Sequence, residues 1–260
     1  MNRRTHLRIR KTHRYLGLFT GLQFILWTVG GLYFSWSDID EIHGDFQKKA
    51  PVYFSADAQL ASPSAVISQL PQVDSIKSLK LVHILGEPVY QVVYFRGHNN
   101  KPEQHTQLAL AASGKLRQPL TKQEAIEMAL GSFNEQVQVA QVELLTEGKV
   151  GKHHEYRESP LPAYAVTMQH PTSTTVYVAA ERGEITSFRN NKWRLFDFLW
   201  MLHTMDYEGR DNFGNLLLRL FSIIGLLSVI SGIALYFVSF RGGKRKNASG
   251  TASTYSKIVR

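Results

Sequence analysis

Hydrophobic positions run without a single Asp, Glu, Lys or Arg from Tyr15 to Trp36 and again from Leu220 to Phe240. Each run is close to the roughly 20 residues that an α-helix needs to cross a hydrocarbon core about 30 Å thick. Gln23 is the one strongly polar side chain in the first run, and only small hydroxyls interrupt the second, so both suit lipid better than a soluble core. Between them the pattern shifts to short alternating stretches bounded by Gly, Pro and Ser, the signature of strands and turns. The chain is therefore predicted to cross a membrane twice, with an α+β region between the crossings.

That middle region is internally duplicated. Each half holds a Pro-x-Tyr-x-Val strand, Pro88 to Val92 and Pro162 to Val166, followed by a second strand of matching texture, Thr106 to Leu116 and Thr174 to Ile185, with Gly114 and Gly183 at turns. Ahead of them lie helical candidates, Ser64 to Leu70 behind Ser62-Pro63, and Lys122 to Phe133 behind Thr121, whose spacing to Glu124 is that of a capping box. Alternating runs from Ile76 to Leu85 and from Val137 to Leu145 complete each copy as a helix followed by three strands, a unit that buries one sheet face under its helix. The predicted organisation is a basic tail (1–14), a first transmembrane helix (15–36), a connecting segment (37–61), repeat one (62–120), repeat two (121–191), an interfacial amphipathic segment (192–219), a second transmembrane helix (220–240) and a second tail (241–260). The end of that tail, rich in Ser, Thr and Gly, is expected to lack structure.

Charge sets the expected orientation. Twelve of the 30 Lys and Arg residues lie in the two tails, which hold no acidic residue, leaving 18 basic against 21 acidic between the spans. Both termini are expected in the cytoplasm of a bacterial inner membrane, with the duplicated region outside in the periplasm. Basic charge abutting hydrophobic spans pins orientation and attracts anionic headgroups, which argues against nucleic-acid binding. The first run exceeds the apolar segment of a signal peptide and is followed by Ser35-Trp36-Ser37-Asp38, not a small-residue cleavage motif, so it is expected to be retained. With no cysteine there is no disulfide, thiolate metal site or cysteine nucleophile, and the exported domain must fold by its own core.

The helix, Tyr-x-Val strand and Gly-containing turn resemble the PepSY domain. Arg10-Lys11-Thr12-His13-Arg14-Tyr15-Leu16-Gly17 resembles the opening of the PepSY-associated transmembrane family, and Leu202-His203-Thr204-Met205-Asp206-Tyr207, with Gly225-Leu226, Ser231-Gly232 and Ser239-Phe240-Arg241, resembles its closing segment. The chain reads as a short, two-span member; haem-containing reductases of the family have at least four spans. The resemblance implies an accessory or small reductase component of haem-based transmembrane electron transfer linked to iron and siderophore handling. It equally admits a non-catalytic anchored module that binds a peptide or protein partner and regulates a peptidase or membrane complex. Catalysis by this polypeptide alone is implied by neither.

The cofactor under the first reading is haem b, with His13, His43 and His203 as candidate ligands and no other metal. His13 lies at the opposite end of the membrane from His203, too far to share an iron in one protomer. His43 and His203 flank the same ends of the two spans, and a homodimer or a membrane redox partner would complete a second site around His13. Phe34, Trp36, Phe46, Trp193, Phe196, Phe198 and Trp200 supply either an apolar haem shell or an interfacial aromatic belt. Asp206 is three residues from His203 and could orient its imidazole, while Tyr207, Arg210 and Asp211 could anchor the domain to the membrane. For helix packing, Gly17 with Gly21 and Ser228 with Gly232 form small-xxx-small pairs that could face each other within the chain or drive dimerisation.

Dinucleotide, phosphate-loop, nucleophile-elbow and His-Glu-x-x-His signatures are absent. His153-His154-Glu155 lacks the second histidine a zinc motif requires and reads as a solvated loop.

Overall fold

In the computed structural model residues 3–97 and 102–254 are described. They form two compact units, one from the chain ends up to Trp36 and from Phe198 onward, the other over Ser37–Asp197.

The first unit contains two long helices, α1 (Arg3–Trp36) and α6 (Leu216–Thr254), in which Leu7–Trp36 and Leu216–Phe237 are long and apolar enough to cross a membrane. Only 17% and 11% of their most apolar windows is covered by the protein, which a soluble core helix would not tolerate. Hydroxyls within the spans bond backward to their own helix, Thr20 to the Leu16 carbonyl at 2.9 Å, Thr28 to Phe24 at 2.7 Å and Ser222 to Leu218 at 2.8 Å, so these donors are satisfied without water. The helices pack antiparallel, since His13 meets Ser231 while Phe24 meets Gly225. α6 continues as helix to Thr254, into the tail expected to be unstructured.

Glycine use differs from the expected pairing. A Cβ on Gly17 or Gly21 would meet nothing within 4 Å, whereas one on Gly225 would come 3.1 Å from the Phe24 ring and one on Gly232 3.1 Å from the His13 ring. Ser228 is buried. The close approach thus uses Gly225 and Gly232 of α6 to receive large α1 side chains, and the Gly17/Gly21 pair stays open.

The second unit carries the duplication. After α2 (Ile39–His43), the first repeat is α3 (Pro63–Ile67) with β1 (Ser75–Ile84), β2 (Glu87–Arg96), β3 (Glu103–Leu110) and β4 (Leu116–Arg117). The second is α4 (Lys122–Ser132) with β5 (Val139–Leu145), β6 (Ala163–Met168), β7 (Thr175–Ala179) and β8 (Glu184–Arg189). Each sheet is antiparallel in sequential order and has four strands, not the three expected. What reads as one long strand in each copy breaks at Gly114 and Gly183, which sit at φ +74° and +64° and turn the chain back to pair with itself.

The two sheets share a core. Ile84, Val89 and Leu108 of the first pack with Val166, Val176, Val178 and Phe188 of the second and with Ala125 and Ala129 of α4. Gly183 makes this approach possible, since a Cβ there would lie 2.5 Å from Ile84 Cδ1. Gln91, almost fully buried, donates to the Arg182 carbonyl, and Lys80 pairs with Glu184 at 2.9 Å across the same junction. α4 starts with the expected capping box: Thr121 Oγ1 accepts from the Glu124 N–H and Glu124 accepts from the Thr121 N–H.

The opposite face of the second sheet is covered by the 146–162 loop and by the start of α5 (Asn191–Thr204). Tyr156, fully buried, stacks on Tyr177 at 4.5 Å and donates to the Pro160 carbonyl. Around this pair Arg194 binds Glu155 at 2.7 Å, Arg157 binds Asp197 at 2.8 Å, and Tyr177 donates to Glu155. Burial, then the neighbouring Glu155 charge, pushes the Tyr177 phenol well above its ordinary pKa. Glu155 thus belongs to a partly buried polar network, correcting the expectation of a solvated loop.

Candidate functional site

His203 lies in the last turn of α5, where three aromatic rings surround it: Phe34 at 5.8 Å, Trp27 at 6.1 Å and Trp200 at 6.4 Å, the last nearly parallel. The end of a helix leaves its final carbonyls without intrahelical donors, and here they are satisfied from elsewhere in the unit. Gln23 donates to the Leu202 carbonyl at 2.9 Å, Trp27 to that of His203 at 3.0 Å and Asn215 to that of Thr204 at 3.0 Å. This explains a glutamine in the middle of a span: its amide closes the end of α5 and does not face lipid. The His203 backbone is held firmly, yet the ring's Nδ1 is buried with no hydrogen-bond partner.

The loop after α5 secures the cage. Asp206, 7% exposed, accepts N–H bonds from Glu208, Gly209 and Asn212. Burial opposes ionisation, but these backbone donors outweigh it and hold the carboxyl below its ordinary pKa. Asp206 lies beyond the end of α5 and anchors the loop through its own backbone. Asp211 accepts from the Trp200 indole at 3.1 Å and so fixes one wall of the cage. Tyr207 is exposed, and Arg210 occupies a left-handed turn at φ +73°.

The remaining histidines fall elsewhere. His13 contacts Ser231 Oγ through Nδ1 at 2.7 Å, packed on Gly232. Fourteen residues of α1 separate His13 from Trp27, about 21 Å at 1.5 Å per residue, so His13 and His203 occupy opposite ends of the helix pair. His43 is exposed at the C-terminal end of α2, in the other compact unit. Of the aromatics expected around His203, Phe34 and Trp200 are there; Trp36 is 82% exposed, and Trp193 lies beneath Arg189. Trp27 carries no sequence signal for this role, because its contact spans 176 residues of chain.

The model of the PepSY-associated TM region matches residues 10–255. The chain belongs to this family. No curated protein and no solved structure matches it. The match covers both apolar helices, the duplicated sheets and the His203 cage, so this PepSY protein is a membrane-associated family member over essentially its whole length.

The aromatic walls and the imidazole of His203 could hold one side of a haem, whereas His13 lies at the far end of the helix pair.

Proposed function

We propose that this PepSY protein is an accessory or small reductase component of haem-based transmembrane electron transfer at the bacterial inner membrane, serving iron handling. His203 carries the reading: a buried, unpartnered ring nitrogen inside three aromatic rings, on a backbone clamped by Gln23 and Trp27. Bound haem would supply one-electron ferric–ferrous chemistry. His203 would help hold the group through a ring nitrogen, with a histidine from a second copy of the chain completing the site, and Trp27, Phe34 and Trp200 would shield it from water. His13, held by Ser231, is the candidate at the opposite end. The charge of the tails supports cytoplasmic termini and periplasmic duplicated sheets. The test is the visible spectrum of protein purified after haem-replete expression: a Soret band is expected, sharply reduced in His203→Ala and retained in His83→Ala.

A second reading, a non-catalytic module gripping a peptide or protein partner by a strand edge, has one feature in its favour. β4 pairs only with Leu108 and Ala109, leaving the Glu103 to Gln107 half of β3 without a paired strand on that side among the described residues. Two other edges are defended. β1 and β5 each carry a register shift, and Lys149 donates to the Leu144 carbonyl on the β5 edge, devices that discourage strand addition.

A further inference from the structure

Where β8 meets the 146–162 loop and the start of α5 there are three arginines, Arg189 of β8, Arg157 of the loop and Arg194 of α5, and two carboxylates, Glu155 of the loop and Asp197 of α5. Both carboxylates are taken, by Arg194 at 2.7 Å and Arg157 at 2.8 Å, and Tyr177 also donates to Glu155. Arg189 pairs with no carboxylate among the described residues. Its guanidinium lies 4.0 Å over the ring of Trp193, and its Nε is buried without a hydrogen-bond partner. Burial, the largest influence, lowers its pKa, with Glu155 and Tyr177 opposing and Arg157 reinforcing the shift. A desolvated cation with unmet donors is costly unless an anion completes it.

A second unmet donor lies beside it. Ser187 Oγ is buried with no partner. Phe188 points into the core shared with α4, so Ser187 and Arg189 project from the other face of β8, about 7 Å apart along the strand. Stacking on an indole leaves the in-plane donors of a guanidinium free, and that planar fork matches an oxyanion.

We propose that Arg189 and Ser187, over the Trp193 ring, form a binding site for a phosphate-type oxyanion, independent of any haem. The anion bridges the guanidinium fork and the serine hydroxyl and neutralises the unpaired charge between β8 and α5. Inorganic phosphate and the headgroup phosphate of an anionic lipid present the same chemistry.

The test uses the full chain in phosphatidylcholine nanodiscs at constant ionic strength. Fluorescence is read as the difference between the protein and its Trp193→Phe variant, which isolates Trp193 among four tryptophans. One arm titrates inorganic phosphate; the other raises the phosphatidylglycerol content of the disc. A saturable change in the first arm identifies a soluble anion, and one confined to the second a lipid headgroup. In either case Arg189→Gln should weaken the response at least about tenfold, and Ser187→Ala by about threefold, the value of one hydrogen bond. Arg189→Lys keeps the charge but loses the fork and should also weaken it, which guards against misfolding of the glutamine variant. No saturable response in either arm, or an unchanged response in both Arg189 variants, overturns the site.

Discussion

Trp27 and His203 are joined twice. The indole N–H donates to the His203 carbonyl at 3.0 Å, and the two rings lie 6.1 Å apart. The span thereby fixes both the backbone and one wall of the imidazole's surroundings. Trp27→Phe keeps an aromatic wall and removes the donor, leaving a helix-end carbonyl unmet in an apolar setting. A loss of about 1 kcal/mol is expected, read as a lower melting temperature in detergent; an unchanged melting temperature would contradict the clamp.

The helix pair should discriminate between its glycines. Gly225→Val and Gly232→Val push side chains into Phe24 and His13 and should cost about 1–3 kcal/mol, as overpacking does. Gly17→Ala and Gly21→Ala enter open space and should leave monomer stability unchanged or slightly raised. Thermal melts of the four variants check the ordering.

Arg157 and Asp197 hold the first half of α5 to the 146–162 loop, their side chains only 12% and 5% exposed. Removing one partner of a buried pair strands the other charge, so Asp197→Ala should destabilise by about 3–5 kcal/mol. The double variant Arg157→Met with Asp197→Leu should recover much of that loss. A double-mutant cycle by denaturant titration measures the coupling.

Glu124 links pH to stability. Burial raises its pKa, but the Thr121 N–H and then Arg117 outweigh that, leaving the folded value below the ordinary 4.5. A depressed folded pKa stabilises above the unfolded value and loses that contribution as pH falls through the folded one. Glu124→Gln should therefore cost about 1 kcal/mol at neutral pH and progressively less as pH drops below 4.5. A gap that stays constant into acid would contradict this assignment.

Orientation is testable because the chain has no cysteine. A membrane-impermeant maleimide should label Ser55→Cys in intact spheroplasts and Lys246→Cys only after permeabilisation. The reverse pattern would place the duplicated sheets in the cytoplasm.

Elements governed by local physics could be read from the residues: the two apolar helices by length and composition, α4 by the Thr121/Glu124 spacing, the duplication by its Pro-x-Tyr-x-Val strands. The fourth strand of each repeat was hidden because β4 and β8 continue the apolar texture of the strands before them, and only the positive φ of Gly114 and Gly183 separates them. At the site, His203 and two of its ring neighbours were visible as residue types. Trp27 and Gln23 were not, since within a span they look like interruptions and their partners lie far along the chain. The Arg157, Arg194 and Arg189 arrangement depends on the 146–162 loop folding over the sheet, for which no spacing rule exists.

Haem content per chain, measured as the pyridine haemochrome of the detergent-purified protein and of its His203→Ala and His13→Ala variants, decides whether His203 serves a haem. Stoichiometric haem b that falls steeply in His203→Ala, with the variant still folded by circular dichroism, is the expected result. Protein that is folded, membrane-extracted and free of haem after haem-replete expression would contradict it.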